Sequence, residues 1–262
     1  MILDLTWGPL AGTIVGLIVG LTGVGGGALM APILLIGFGM ELQTVVATDL
    51  LFATITKIAA GGMHIRNQLV DWQIVKRLWL GSITATVMVV IYVQSGHLIH
   101  SPTWIMPLLG LLILVSAISL IFEKRLQARQ TTRRIAMPTQ FKTMQGSMTT
   151  VAGGILGALI TMTSIGAGAL GAVFLRALYP LRMQPAPLVA SDTVHAIPVS
   201  LIGGLSFLVM GYTDLTMLGF LLLGSIPAAL IGSSLVNRVP VRLIKLLLAL
   251  ILSIVGIKLM LL

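Results

Sequence analysis

Eight apolar runs dominate the sequence, at about 8–38, 43–61, 75–95, 102–122, 147–175, 186–210, 213–236 and 241–261. A helix rises about 1.5 Å per residue, so about 20 residues cross the hydrocarbon of a bilayer. Most of the runs have that length. The first and fifth are nearer 30 residues, and each carries a glycine cluster at its middle. Between them the 262 residues hold only 16 Lys and Arg and 7 Asp and Glu, 9% charged, against about 25% in soluble domains. So little polar side chain cannot clothe a soluble globule. The solvent is lipid, and the fold class expected is an all-α integral membrane protein with about eight helical segments.

A net charge of +9 invites a nucleic-acid reading, but the basic residues sit in short loops between apolar runs. That is the cytoplasmic-side bias of membrane proteins, not the contiguous basic face a polyanion requires. No nucleic-acid partner is expected. With no cysteine there is no disulfide or thiol chemistry. The first 40 residues lack a basic n-region and read as the first membrane segment, not as a cleaved signal.

The chain repeats itself. At an offset of 143 residues Ala47, Asp49, Gly61 and Asp71 fall on Ala190, Asp192, Gly204 and Asp214, and Gly81-Ser82-Ile83 on Gly224-Ser225-Ile226. At 141, Gly12, Gly16, Thr22, Gly25 and Gly27-Ala28-Leu29 fall on Gly153, Gly157, Thr163, Gly166 and Gly168-Ala169-Leu170. Apolar matches arise cheaply by chance, whereas matched aspartates among seven acidic residues do not. The expected organisation is a first transmembrane repeat over 1–122, a basic cytoplasmic linker over 123–146 and a second repeat over 147–262. Internal repeats are a recurrent transporter plan.

The basic loops also constrain topology. Loops 62–77, 123–146 and 176–186 and the stretch 237–245 carry Lys and Arg, while the connections near 39–42, 96–101 and 211–213 carry none. Eight plain crossings would put 123–146 and 176–186 on opposite faces although both are basic. Re-entrant hairpins at the first and fifth runs remove the conflict. Each half is then one hairpin plus three crossings, the second half is inverted, and both termini lie outside. Eight crossings with an imperfect charge bias remain the alternative.

Two glycine-rich breaks are the candidate substrate site. Thr22-Gly23-Val24-Gly25-Gly26-Gly27 pairs with Thr163-Ser164-Ile165-Gly166-Ala167-Gly168. Backbone broken at membrane depth is tolerated only where it is buried or lines a cavity. A helix restarting there offers free N–H groups and the positive end of its dipole to an anion. Thr22, Gly23, Gly25, Gly26, Gly27, Thr163, Ser164, Gly166 and Gly168 are therefore the substrate-binding candidates, the hydroxyls as extra donors; close helix packing is the competing reading. Gly12, Gly16 and Gly20 read as packing positions, where Gly12→Ala is expected to harm transport less than Gly25→Val or Gly166→Val. Gly166-Ala167-Gly168-Ala169-Leu170-Gly171 matches a dinucleotide fingerprint in letters only, since no strand precedes it.

Ionisable residues within spans are costly and point to function. Asp49 and Asp192 occupy equivalent places in the second segment of each half, followed by Lys57 in one and His195 in the other. These four are the coupling or charge-balancing candidates. The aspartates read either as proton carriers and partners of Lys57, or as helix-end groups near water; His195 reads as titratable or as structural. Asp71 and Asp214 read as helix caps. His97 and His100 lack the carboxylate or cysteine that a metal site would need. No hydrolase pattern is present. Neither metal, cofactor nor enzymatic activity is expected.

The stretch 20–27 followed by Ala31-Pro32, the Ala47-Thr48-Asp49 segment and the echo at 163–170 together resemble the sulfite exporter TauE/SafE family, over essentially the whole chain. The second half departs from the glycine-rich form, with Ser164 and Ala167 where Gly23 and Gly26 stand. The resemblance implies a multi-pass permease of a prokaryotic inner membrane. Its substrate would be sulfite, sulfoacetate or a related sulfur-containing anion, and it would act as an exporter. A homo-oligomer is compatible with this reading. An anion channel and a non-transporting membrane subunit or assembly factor are the alternatives.

Overall fold

A computed structural model describes residues 5–22, 27–97, 106–119, 121, 138–165, 168–180, 182–235 and 241–261. Helices account for the regular structure among these residues, and there is no strand. A 3-10 turn at Leu5–Trp7 leads into α1 (Gly8–Thr22), and α2 (Gly27–Pro32) runs on as a π-helical turn at Ile33–Gly37. Then come α3 (Leu42–Arg66), α4 (Trp72–Tyr92), α5 (Met106–Ser119) and α6 (Pro138–Thr163). The series closes with α7 (Ala169–Leu178), α8 (Pro185–Val209), α9 (Leu215–Leu235) and α10 (Val241–Met260). Helix α6 reaches back into the stretch expected to be linker, whose residues 123–137 lie outside the described set.

Five of these helices contain spans long and apolar enough to cross a membrane: Leu42–Arg66, Trp72–Ser95, Met144–Thr163, Ala186–Val209 and Leu215–Gly232. Their outer faces are apolar, as lipid contact requires: Leu80 and its counterpart Leu223 are 69% and 70% exposed. The chain is an all-α membrane protein.

Helices α3 and α8 form the centre and pack against each other. Leu50 and Leu51 lie against Gly203 and Gly204, Thr54 meets Ser200, and Gly61 meets Val194 and Ile197. Rising numbers on one helix meet falling numbers on the other, so the two run antiparallel. Around this pair the partners are exchanged between halves: α1 packs on α9, and α6 on α4. A Cβ built at Gly12 would stand 2.1 Å from the Leu221 carbonyl oxygen, and one at Gly16 2.3 Å from that of Ser225. At the counterparts Gly153 and Gly157, the Leu78 and Ser82 oxygens would each be 2.3 Å away. Only glycine lets these backbones approach so closely. Gly12 and Gly16 are packing positions, as their spacing suggested, and the obstacle to a side chain at either is backbone.

Matched contacts recur at the helix ends. Asp71 caps Ile74 and Asp214 caps Met217, at 3.4 and 2.8 Å. The Asp71 backbone N–H donates to Ser191 Oγ at 3.0 Å, and that of Asp214 to Thr48 Oγ1 at 3.1 Å. Each bond crosses between halves, and the offset of 143 turns one into the other. The turns leaving α3 and α8 match bond for bond: Leu69 donates to the His64 carbonyl and Tyr212 to that of Phe207, both at 3.1 Å. Gln68 and Gly211 take the left-handed position in these turns, with φ of 54° and 80°. Reciprocal contacts between antiparallel counterparts are what a two-fold axis perpendicular to the helices produces.

The fifth apolar run folds back on itself. Gln145 Nε2 donates to the Leu178 carbonyl at 2.6 Å, and the Thr149 and Tyr179 hydroxyls are 2.8 Å apart. The start of α6 and the end of α7 thus share one end of the bundle. Arg182 is bound to Asp71 at 2.6 Å, so the loop before α8 and the loop before α4 meet there too.

Candidate functional site

Helix α6 ends at Thr163 because the chain turns sharply there. The Thr163 hydroxyl donates to the Leu159 and Ile165 carbonyls at 2.6 and 3.1 Å and accepts from the Ile165 N–H at 3.2 Å. Its proton is committed to backbone in this conformation, so Thr163 shapes the break. Ser164 follows with φ of 57°, an uncommon conformation for a residue with a Cβ. The Ser164 hydroxyl is buried and has no hydrogen-bond partner among the described residues.

Helix α7 begins after Gly168, whose φ of 99° suits glycine alone. Its N-terminus is occupied. Asp192, reaching in from α8, accepts a hydrogen bond from the Gly168 N–H through Oδ2. Its other oxygen lies 1.7 Å from where a Cβ on Gly171 would stand. The carboxylate therefore rests on the opening turn of α7, at the positive end of its dipole, and can sit there only because residue 171 has no side chain. Asp192 is 4% exposed, and its Oδ1 lacks a hydrogen-bond partner among the described residues. The sequence expectation of a helix-end group near water is replaced by a different placement: Asp192 lies at the end of α7, not of its own α8, and is buried.

Asp49 is fully buried, with neither oxygen hydrogen-bonded among the described residues. Its carboxyl lies beside the Ser164 hydroxyl, across the interface between halves, without forming a bond of normal geometry. Lys57, 8% exposed, interacts electrostatically with both Asp49 and Asp192. It stands close to the crossing point of α3 and α8, where Thr54 Oγ1 bonds Ser200 Oγ at 3.0 Å; Ser200 is the residue matching Lys57 in the second half. His195 is fully buried with both ring nitrogens unpartnered among the described residues, while its carbonyl accepts from Trp79 Nε1 at 3.1 Å.

The structure therefore gathers Asp49, Lys57, Ser164, Asp192 and His195, with Gly168, around the second break. One cation faces two carboxylates. Of the first break, Thr22 and Gly27 are the last residue of α1 and the first of α2. Gly23, Gly25 and Gly26, and Gly166 in the second break, lie outside the described residues, as does His100. Among the described residues no three acidic, histidine or cysteine side chains are grouped to hold a metal ion. Gly171 was missed in the sequence reading. Its counterpart under the 141-residue offset is Met30, so no repeat match drew attention to it.

The model of the sulfite exporter TauE/SafE family matches residues 9–259. The chain belongs to that family. It is similar to the "Probable membrane transporter protein YjnA" of Bacillus subtilis (strain 168), with 33% identity over 208 residues covering 78% of this chain and 80% of that protein. No solved structure matches it significantly. Family and relative make the chain a membrane transporter, and the buried charged cluster lies in a protein whose task is passage across a bilayer.

Proposed function

We propose that the chain is a secondary transporter, acting as an exporter, of small sulfur-containing anions such as sulfite, sulfoacetate or another organosulfonate. The anion would bind between the two glycine-rich breaks: Thr22, Gly23, Gly25, Gly26 and Gly27 on one side, Thr163, Ser164, Gly166 and Gly168 on the other. Asp49, Lys57, Asp192 and His195 would balance charge. The observation that carries this reading is the interrupted helix between Thr163 and Ala169, with charged side chains buried beside it. Broken helices near the midplane of repeat-built transporters are where substrates and coupling ions bind, and intramembrane charges mark such pathways.

Alternating access would rock one half against the other about the antiparallel α3–α8 pair. The second half would be inverted in the membrane, with α6–α7 and its counterpart entering as re-entrant hairpins. The basic loops would face the cytoplasm of a prokaryotic cell and both termini the outside. The protein would work as a monomer or homo-oligomer, with the bilayer and the anion as its only obligatory partners.

Heat denaturation of purified protein with a series of anions tests the substrate class. A ligand at 100 times its Kd adds about 2.7 kcal/mol of stability, so sulfite or a sulfonate should raise the melting temperature where chloride and acetate do not. Flux of the same anion in liposomes then separates transport from binding alone. Single cysteines test orientation in a chain that has none. Positions 68 and 182 should label from the same, cytoplasmic, face; labelling of 182 from outside intact cells would exclude the re-entrant arrangement.

A further inference from the structure

The end of α7 that suits an anion is filled by a side chain of the protein itself. Asp192 lies on the Gly168 N–H and over Gly171, the position a substrate oxyanion would take. Two observations beyond the helix end point to a ligand. Asp192 keeps one buried oxygen without a hydrogen-bond partner among the described residues. Asp49 and Ser164, both buried and both unpartnered among the described residues, lie beside the same break. Polar atoms withdrawn from water and left unbonded are costly, so this cluster favours a ligand that can bond to them.

We propose that Asp192 is a tethered competitor of the substrate, so that an anion binds at α7 only together with a proton that Asp192 takes up. This rests on the transport reading above. Two negative charges cannot share one helix end in a low-dielectric site. Protonation removes the competing charge, and the proton comes from the water on whichever side the site is open. The groups around Asp192 agree with this. From α3 come a cation, Lys57, and a second carboxylate, Asp49; from its own helix comes His195. Asp71, at the start of α4, is already paired with Arg182, and the break after α6 contributes the uncharged Ser164. Arg176 stands at the far end of α7. With both aspartates ionised, Lys57 offsets one of them, and an added anion would meet the other. Outward movement of one anion with one proton carries no net charge for a monovalent substrate, so the membrane potential neither helps nor opposes it.

The test uses purified full-length protein and methanesulfonate, whose single charge is constant from mildly acidic to mildly alkaline pH. Titration calorimetry in buffers of different ionisation heat counts the protons taken up on binding. In the wild type, affinity should weaken as pH rises, approaching tenfold per pH unit, with up to one proton bound per anion. Asp192→Asn should lose both the pH dependence and the proton uptake, and bind at alkaline pH as tightly as the wild type does at acidic pH. Gly171→Ala puts a Cβ where Oδ1 lies and should shift binding the same way, which keeps the test open if the Asn variant does not fold. Anion binding without proton uptake in the wild type overturns the proposal, as does unchanged pH dependence in either variant. If methanesulfonate, sulfite and thiosulfate all fail to bind at any pH, the transport reading itself falls.

Discussion

The two halves use the same parts and finish them differently. In the second half Asp192 reaches α7 because Gly171 leaves room; at the matching place in the first half stands Met30, fully buried. Asp49 is accordingly left without a hydrogen bond among the described residues, beside Ser164 of the opposite break. Lys57 has no charged counterpart either, since Ser200 takes its place and bonds to Thr54. The helix contacts obey the offset closely, and the chemistry at the centre does not. Packing is kept two-fold by repeating small residues, whereas the charges at the centre, one lysine facing two aspartates, are not repeated.

The largest effect is expected at Lys57, which serves both carboxylates from one half. Lys57→Met leaves two buried acids uncompensated, and breaking such pairing costs about 3–5 kcal/mol. Adding Asp49→Asn to that variant should restore more stability than adding Asp192→Asn, because Asp192 keeps the Gly168 N–H. Equal rescue by the two in thermal melts would mean that the halves are electrostatically alike. Next come the packing glycines. Gly12→Ala and Gly153→Ala each drive a methyl group into a carbonyl of the opposite half, and overpacking of this kind costs about 1–3 kcal/mol or more. Yields and melting temperatures of the two variants should fall together; a large loss at one position only would break the structural equivalence.

A smaller difference separates the aspartates themselves. Asp192→Asn gives up a charge on a helix N-terminus, about 1 kcal/mol, and should lower the melting temperature by about 2–4 °C. Asp49→Asn removes an unbonded buried charge and should not lower it. The smallest effect belongs to the matched turns. Gln68→Gly supplies the residue that Gly211 already provides, relieving a left-handed strain of about 1 kcal/mol. Part of that gain is offset by the greater freedom of glycine in the unfolded chain. A slight rise in melting temperature is expected.

Much of this fold was legible because lipid imposes simple rules. Run lengths gave the helices, and the matched aspartates Asp71 and Asp214 gave their caps. The spaced glycines Gly12, Gly16, Gly153 and Gly157 marked close contacts, though their severity depends on what lies opposite, which spacing does not encode. At the site, the sequence singled out Asp49, Lys57, Asp192 and His195 and offered Lys57 as a partner of the aspartates, but it did not pair Asp192 with Gly168 or Asp49 with Ser164. That Asp192 caps a helix other than its own depends on how α8 is placed against α7. Gly171 stayed hidden because it is singular, and repeat matching is blind to the positions where two copies diverge.

The exchange of partners between halves also bears on how the protein is made. Helix α1 emerges first, yet the surface it packs on, α9, lies some two hundred residues later. At roughly 5–20 residues per second the ribosome leaves that surface unmade for on the order of ten seconds or more. For that interval Gly12 and Gly16 present bare backbone to lipid or to the insertion machinery, with no native neighbour to receive them. The first half therefore has no finished form of its own. Severed in the central linker, the two pieces should be unstable when produced separately and should assemble when produced together in one membrane.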